Sequence, residues 1–357
     1  MIHIVITNDM LRMLLEIESC LTRFGSCKLP LSISNKMRKN SRKKSSYAST
    51  TIEGNPLTEQ QVSEVIDSTE RHFLKPEQEV RNYFAALQLT EEYIRRKTPF
   101  SLQLILAVQK QVVKGESKEK IGLRGPMPPG VLFAVYDSVT HQADYIPPQY
   151  DDIMPLLKEL IEYVNSSDDH PIVKAAIVHY QLVTIHPFED GNGRTARILS
   201  DYILDLYGYG FGQIGSLEEY FAYDVEEYYN SLQMGLPPLF YDGRENPPHP
   251  EIWMNYFLRM MLLHARKVVE IANQTQTVQI DAGMSFLSSK EQAFLKYLLR
   301  KNVMQFTPIE VAKSMKVSNH TIINWCAGLS KNGFLTPNLV NQRIRSYSVT
   351  DLARMAK

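Results

Sequence analysis

The stretch His186-Pro187-Phe188-Glu189-Asp190-Gly191-Asn192-Gly193-Arg194-Thr195-Ala196-Arg197 decides how the whole chain is read. It joins two helical patterns, the apolar run 171–185 and a second run over 194–207. A Gly-Asn-Gly turn leading into a helix presents backbone N–H groups to an anion, and the helix dipole adds to the attraction. Arg194 and Arg197 stand three apart, so one helix face carries both guanidinium groups toward phosphate oxygens. Asp190 beside the turn has the chemistry of a Mg2+ ligand, since that ion takes one or two carboxylates together with substrate phosphates. His186 at the loop entrance, as a neutral imidazole, can take a proton from an incoming hydroxyl. Together these parts describe phosphoryl or nucleotidyl transfer: positioning, charge neutralisation and one base. A His-Pro alone is usually a loop and a Gly-Asn-Gly alone a turn; one short segment holding every role in workable order is far rarer.

Outward from this segment the chain reads mostly as helix. Residues 77–96 place Val80, Tyr83, Phe84, Leu87 and Tyr93 at helical spacing, with charges on the other face. Similar patterns occupy 101–114, 151–165, 217–234 and 251–273, and Pro171 suits the first turn of the helix at 171–185. Residues 122–148 break the pattern. Gly and Pro are dense at their start, Val131–Tyr136 is β-prone, Asp137-Ser138 suits a turn, and Tyr145-Ile146 returns. The expectation is a β-hairpin that leans on the helices and serves as a flap over a site.

The helical pattern lapses over 274–286, and beyond it the composition turns basic: Lys and Arg outnumber Asp and Glu in residues 287–357. Ser288 and Ser289 can cap a helix running to Arg300, and Thr307-Pro308-Ile309-Glu310 is a capping box. Val317-Ser318-Asn319 reads as a turn into a helix over Thr321–Leu329, and 334–349 as two short strands. This order suggests a winged helix. Ser318, Asn319, His320, Thr321 and Asn324 would face a major groove and Arg343 and Arg345 a backbone, with Ile322, Ile323 and Trp325 in the core.

The 357 residues carry no net charge, so the chain as a whole is no electrostatic binder of nucleic acid or anionic membrane. Cys20, Cys27 and Cys326 are too few and too scattered for a disulfide framework or a zinc site, which points to reduced thiols and a cytoplasmic location. The apolar start Met1–Ile6 lacks a basic flank and a cleavage site. No run approaches the roughly 20 apolar residues of a membrane span.

The string 186–197 resembles the Fic motif, HPFx[D/E]GNGRxxR, at every fixed position. The resemblance implies a mainly α fold: a Fic-type helical core at 99–273 with an inserted β-hairpin flap, a helical N-terminal region at 1–98 and the winged-helix domain at 287–357. It implies that His186 deprotonates a target hydroxyl, which attacks the α-phosphorus of ATP. Asp190 would hold Mg2+ on the α- and β-phosphates, Gly191, Asn192 and Gly193 would form the anion nest, and Arg194 and Arg197 would hold phosphates. Relatives that phosphorylate carry Lys where Gly193 stands, so the glycine favours AMP transfer. Tyr228-Tyr229 resembles a pair near the adenine pocket of relatives, although a core aromatic pair reads equally well. The adenine-contacting Asn of relatives is not evident beyond it.

Ser49-Thr50-Thr51-Ile52-Glu53-Gly54 resembles the family's inhibitory motif, [S/T]xxxE[G/N]. It implies a helix whose Glu53 pairs bidentately with Arg197 and takes the donors that the γ-phosphate needs. The expected activity is an autoinhibited protein adenylyltransferase acting on Ser, Thr or Tyr of a target protein, the chain itself included. Two alternatives stand beside it: a DNA-binding regulator with an accessory Fic domain, and removal of AMP by the same site. The basic run Lys36–Lys44 reads as a solvated linker or helix face, with a partner surface as the alternative. A protein partner for the winged helix and a homodimer are left open.

Overall fold

The computed structural model describes residues 2–27, 29–136, 143–236, 247–340, 342–350 and 353. It is mainly helical, as expected, and forms two compact units: Met1–Thr22 with Leu31–Val268, and Arg23–Pro30 with Val269–Lys357. No division falls at 98/99, because the N-terminal helices pack on the same core as the motif.

The first unit contains most of α1 (Asn8–Ser26), then α2 (Leu31–Ile52), α3 (Glu59–Asp67), α4 (Lys75–Arg95), α5 (Leu102–Val112), α6 (Tyr150–Ser166), α7 (Pro171–Ile185) and α8 (Asn192–Leu206). After these come α9 (Glu218–Tyr223), α10 (Val225–Gln233) and most of α11 (Pro250–Ser285). Helix α7 is its axis. Pro171 opens it, His170 Nδ1 accepts from Ile172 N at 3.2 Å, and almost every residue after Pro171 is buried. Lys174 is buried too, but its ammonium donates to the carbonyls of Val164 and Ser167 at the end of α6, 3.1 and 2.6 Å away. The cation thereby satisfies the open carbonyls of a helix terminus. Helix α8 packs along α7, so the loop between them is held at both ends by buried helix.

Three expectations change. The helix expected over 217–234 is two, because Asp224 leaves helical geometry and its side chain accepts from Glu227 N at 2.8 Å; a capping preference overrides the apolar spacing. The lapse expected over 274–286 is instead the end of α11, because polar Gln and Thr cost a helix little. Among the described residues the hairpin is shorter than its β-prone run, with β1 (Val135–Tyr136) pairing with β2 (Ala143–Tyr145) and residues 131–134 outside the strand. The expected turn at Asp137-Ser138 lies outside the described residues.

In the second unit, α12 (Ser289–Arg300), α13 (Pro308–Met315) and α14 (Asn319–Lys331) enclose Phe294, Leu298, Ile322, Cys326 and Phe334. An antiparallel sheet of order β3 (Gln305–Phe306), β5 (Arg343–Val349), β4 (Leu335–Val340) closes it. Capping boxes at Ser288/Glu291 and Thr307/Glu310 open α12 and α13. Ile323, expected in the core, is 41% exposed, since it follows buried Ile322 by one position and so turns to the other side of α14. Among the described residues no disulfide joins the cysteines, and no helix is long and apolar enough to cross a membrane.

Candidate active site

Helix α7 ends at His186, whose N–H still donates to Leu182 O at 3.1 Å while its φ of 48° turns the chain left-handed. That conformation costs a β-carbon residue about 1–2 kcal/mol, so something must hold it. Arg124, buried, donates from Nε to His186 O at 2.9 Å and from Nη2 to Pro148 O, and its own N–H donates to Pro187 O at 2.9 Å. Leu123 bridges Phe188, which lies in the core. The Asn192 side chain then staples the loop internally: Oδ1 accepts from Phe188 N at 3.0 Å and Nδ2 donates to Phe188 O at 2.9 Å. Gly191 has a φ of 82°, and a β-carbon there would crowd Val113 at 3.0 Å and Val112 at 3.1 Å, so both backbone and space favour glycine. Replacing Asn192 with Ala leaves two buried backbone groups without partners. The expected loss is about 2–4 kcal/mol, read as a lower urea midpoint at unchanged m-value.

His186 is half-buried with Nδ1 3.3 Å from Val183 O, which assigns the proton to Nδ1 and leaves Nε2 as the basic nitrogen. Burial pushes its pKa down to about 4, the Arg124 charge adding to the effect and the Val183 carbonyl and Glu53 opposing it. Asp190 receives two cations, Arg194 Nη2 on Oδ1 at 2.7 Å and Lys120 Nζ on Oδ2 at 3.0 Å. Burial alone would raise its carboxyl, but these charges hold it below the usual carboxylate range.

Arg197 is buried, its side chain only 1% exposed. Its Nε donates to Ser49 Oγ at 2.7 Å, and Nη2 donates to Ser49 O at 3.0 Å and to Glu53 Oε1 at 2.6 Å. The expected bidentate pair is therefore divided: Glu53 supplies one contact and Ser49 the other two, because Ser49 lies one turn earlier on α2 and reaches the rest of the fork. Burial would raise the Glu53 carboxyl, yet Arg197 and Arg194 outweigh it and keep it ionised. A β-carbon on Gly193 would stand 2.5 Å from Glu53 Oε1, so the glycine also gives the carboxylate its place.

A family model described as "Fic/DOC family" matches residues 99–204. The chain carries a Fic domain. Among curated relatives, the protein adenylyltransferase Fic of Drosophila virilis is 29% identical over 169 residues, 46% of this chain and 33% of that protein. The Aedes aegypti protein of the same name is 29% identical over 170 residues, 46% and 32% of the two chains. The match thus spans about a third of the length of these relatives. In fold, a Fic family protein from Desulfovibrio desulfuricans superposes over 98% of both chains with a TM-score of 0.61 at 21% identity. Fic-1 from C. elegans covers 76% of this chain and 73% of its own with a TM-score of 0.59, also at 21% identity.

Within this Fic domain and the helices packed on it, His186, Asp190, Arg194, Arg197, Ser49, Glu53 and Tyr228 come together. The Asn192 side chain turns inward onto Phe188, leaving only its backbone for an anion. Tyr229 is 44% exposed, while Tyr228 is buried against His179, its OH 2.8 Å from Nε2. Sequence reasoning missed Arg124 and Lys120, and His179 beside Tyr228. Only Arg124 had a signal, as the lone cation in a Gly/Pro-rich stretch; the others sit at ordinary helical or loop positions.

Proposed function

We propose that this chain is a protein adenylyltransferase of the Fic type, held back by its own Glu53. The observation that carries the proposal is an imidazole with one free basic nitrogen, at the mouth of a glycine turn whose helix carries two phosphate-ready arginines, one of them occupied by a glutamate. His186 Nε2 takes the proton of a Ser, Thr or Tyr hydroxyl; the oxygen bonds to the α-phosphorus of ATP, the bond to the β-phosphate oxygen breaks, and pyrophosphate leaves. Gly191–Gly193 and Arg194 orient the phosphates, and Arg197 receives the γ-phosphate once Glu53 withdraws.

No group of three or more His, Cys, Asp or Glu is arranged to hold a metal among the described residues. A single carboxylate, Asp190, suits Mg2+ that arrives on ATP and keeps the phosphates as its other ligands, and there it would neutralise charge. Lys120 and Arg194 hold that carboxylate ionised until then.

The test is to offer the Glu53→Gly protein ATP labelled at the α- or the γ-phosphate, with and without lysate. Label on protein from the α position only is the expected result; label from γ only would replace the reading with phosphorylation, and label from neither would remove it. The pH dependence follows from the depressed pKa of His186. Its basic form is complete well below neutrality, so kcat/KM of Glu53→Gly stays flat from about pH 6 to 8 and falls only toward pH 4. Bound ATP adds negative charge and moves the inflection in kcat to higher pH than that in kcat/KM. An inflection of kcat/KM near 6.5 would show an imidazole left in water.

A second reading concerns the C-terminal unit. Ser318, Asn319, His320 and Asn324 are exposed on or beside α14, and Arg343 and Arg345 are exposed on β5. That pattern favours accessory DNA contact by a winged helix, which a gel shift that weakens steeply with salt would support and its absence would remove.

A further inference from the structure

We infer that Glu218 is the anchor of the inhibitory helix, so that freeing Arg197 requires α2 to lift from Glu218 and not only Glu53 to swing aside. The inference rests on the AMP-transfer reading for its consequence, though not for its geometry.

Helix α2 meets the core with a polar face. Ser41, Ser45, Ser46, Ser49 and Thr50 are buried, against only Ala48 and Ile52 among its apolar residues. Ser46 and Thr50 return their hydroxyls to carbonyls of α2 itself. On this buried face the outward partners belong to Ser41, Ser45, Ser49 and Glu53, spaced four apart in a single stripe, while along its edges Arg38 donates to Gly212 O at 2.9 Å, Arg42 pairs with Glu91 and Lys44 with Glu219. Ser41 Oγ accepts from Gly215 N at 2.8 Å, Ser45 Oγ donates to Glu218 Oε2 at 2.8 Å, and Ser49 and Glu53 receive Arg197. With so little apolar area, these bonds rather than burial keep the helix seated, and such a contact can open without unfolding the core.

Glu218 is where the bonds converge. It is 1% exposed and has no ion-pair partner among the described residues. It is held instead by hydroxyls: Ser45 from α2, Ser216 at 2.9 Å, and Tyr83 from α4, whose OH donates to Oε1 at 2.8 Å. Tyr83 also touches Ser49, which links Glu218 to the group that grips Arg197. Asp201, one turn beyond Arg197 on α8, lies against the same carboxylate, and burial together with the neighbouring Glu218 pushes its carboxyl well above the usual range. A buried carboxylate sustained by neutral donors loses heavily when one departs. Beside it a cavity of about 70 Å3, lined by Ser41, Ser45, Asp201, Asp205 and His264 among others, gives water a place when Ser45 leaves.

Ser45→Ala deletes one donor and nothing at the active site. With Glu53 intact, label from α-labelled ATP should rise about tenfold, the low end of what a hydrogen bond to a charged group is worth. In the Glu53→Gly background the same substitution should change labelling less than twofold, because the brake it seats is already gone. Tyr83→Phe, which removes a different donor, should repeat both results and covers the case in which Ser45→Ala misfolds. Hydrogen exchange of the amides of residues 41–53 should quicken in either variant while α7 stays protected. No rise with Glu53 intact, while Glu53→Gly labels strongly, overturns the anchor. So does a fall in the Glu53→Gly background, which would mark a merely structural role. If Glu53→Gly itself takes no label, the AMP-transfer reading has failed, and exchange over 41–53 still decides the anchor: quickened supports it, unchanged overturns it.

Discussion

Glu53→Gly should raise transfer of α-labelled phosphate onto protein about 10²–10³-fold over the unaltered chain, and without nucleotide it should lower the thermal midpoint. The two effects have one cause. In the closed state Arg197 is occupied by Glu53 Oε1 at 2.6 Å and by both the hydroxyl and the carbonyl of Ser49. A γ-phosphate must compete for the same guanidinium, and ATP bound without it leaves its α-phosphorus out of line with the hydroxyl. A misplacement of about 1 Å is enough to cost roughly a hundredfold, and an arginine on the transferring phosphates is worth about a thousandfold or more in related chemistry.

Removal of Glu53 also leaves a guanidinium 1% exposed with no carboxylate beside it. Breaking a buried pair from one side costs about 3–5 kcal/mol. Glu53 keeps 34% of its side chain in contact with solvent, so the low end applies, about 3 kcal/mol, or roughly 6–12 °C for a unit of this size. MgATP should restore most of it, since its γ-phosphate replaces the missing carboxylate; at a hundred times Kd, binding returns about 2.7 kcal/mol. A variant gaining stability from ATP no more than the parent does would mean that the phosphate never reaches Arg197.

How much of this was legible depended on distance along the chain. The roles of His186, Asp190 and the two arginines could be read because one loop and one helix turn hold them, and local geometry alone brings them together. The helices flanking that loop were legible for a similar reason, since α7 buries nearly every side and reads as a continuous apolar run. Glu53 was legible only as a motif; nothing in its neighbours says that it meets a residue 144 positions away. Tyr83 and Glu218 were not legible, because their partners lie 135 and 173 positions off and are chosen by how helices cross, and Arg124 stood out only as a lone cation, with nothing to say that it meets a carbonyl 62 positions away. Asp224 misled the apolar pattern because a cap can interrupt a helix without changing its spacing, and α11 ran on through Gln and Thr that a helix tolerates.

His186→Ala, placed in the Glu53→Gly background, should remove all but about 10⁻²–10⁻⁴ of the labelling while leaving ATP binding within about twofold. The imidazole is the one basic group positioned by the loop, with Nδ1 committed to Val183 O and burial keeping the ring neutral near pH 7. No phosphate contact is assigned to it, so its loss should appear in kcat and not in the affinity for nucleotide. The position is also conformationally demanding, at a φ of 48° with the main chain pinned by Arg124. Alanine tolerates that geometry less well than asparagine, so His186→Asn provides a control that keeps the loop and offers no base. Both variants should bind ATP and both should fail to transfer. If His186→Asn retained labelling within tenfold of its parent, the proton would be leaving by another route and His186 would be reduced to a shaping role. If instead it lost ATP binding along with transfer, the left-handed turn itself, and not the base at its tip, would be what the nucleotide site requires.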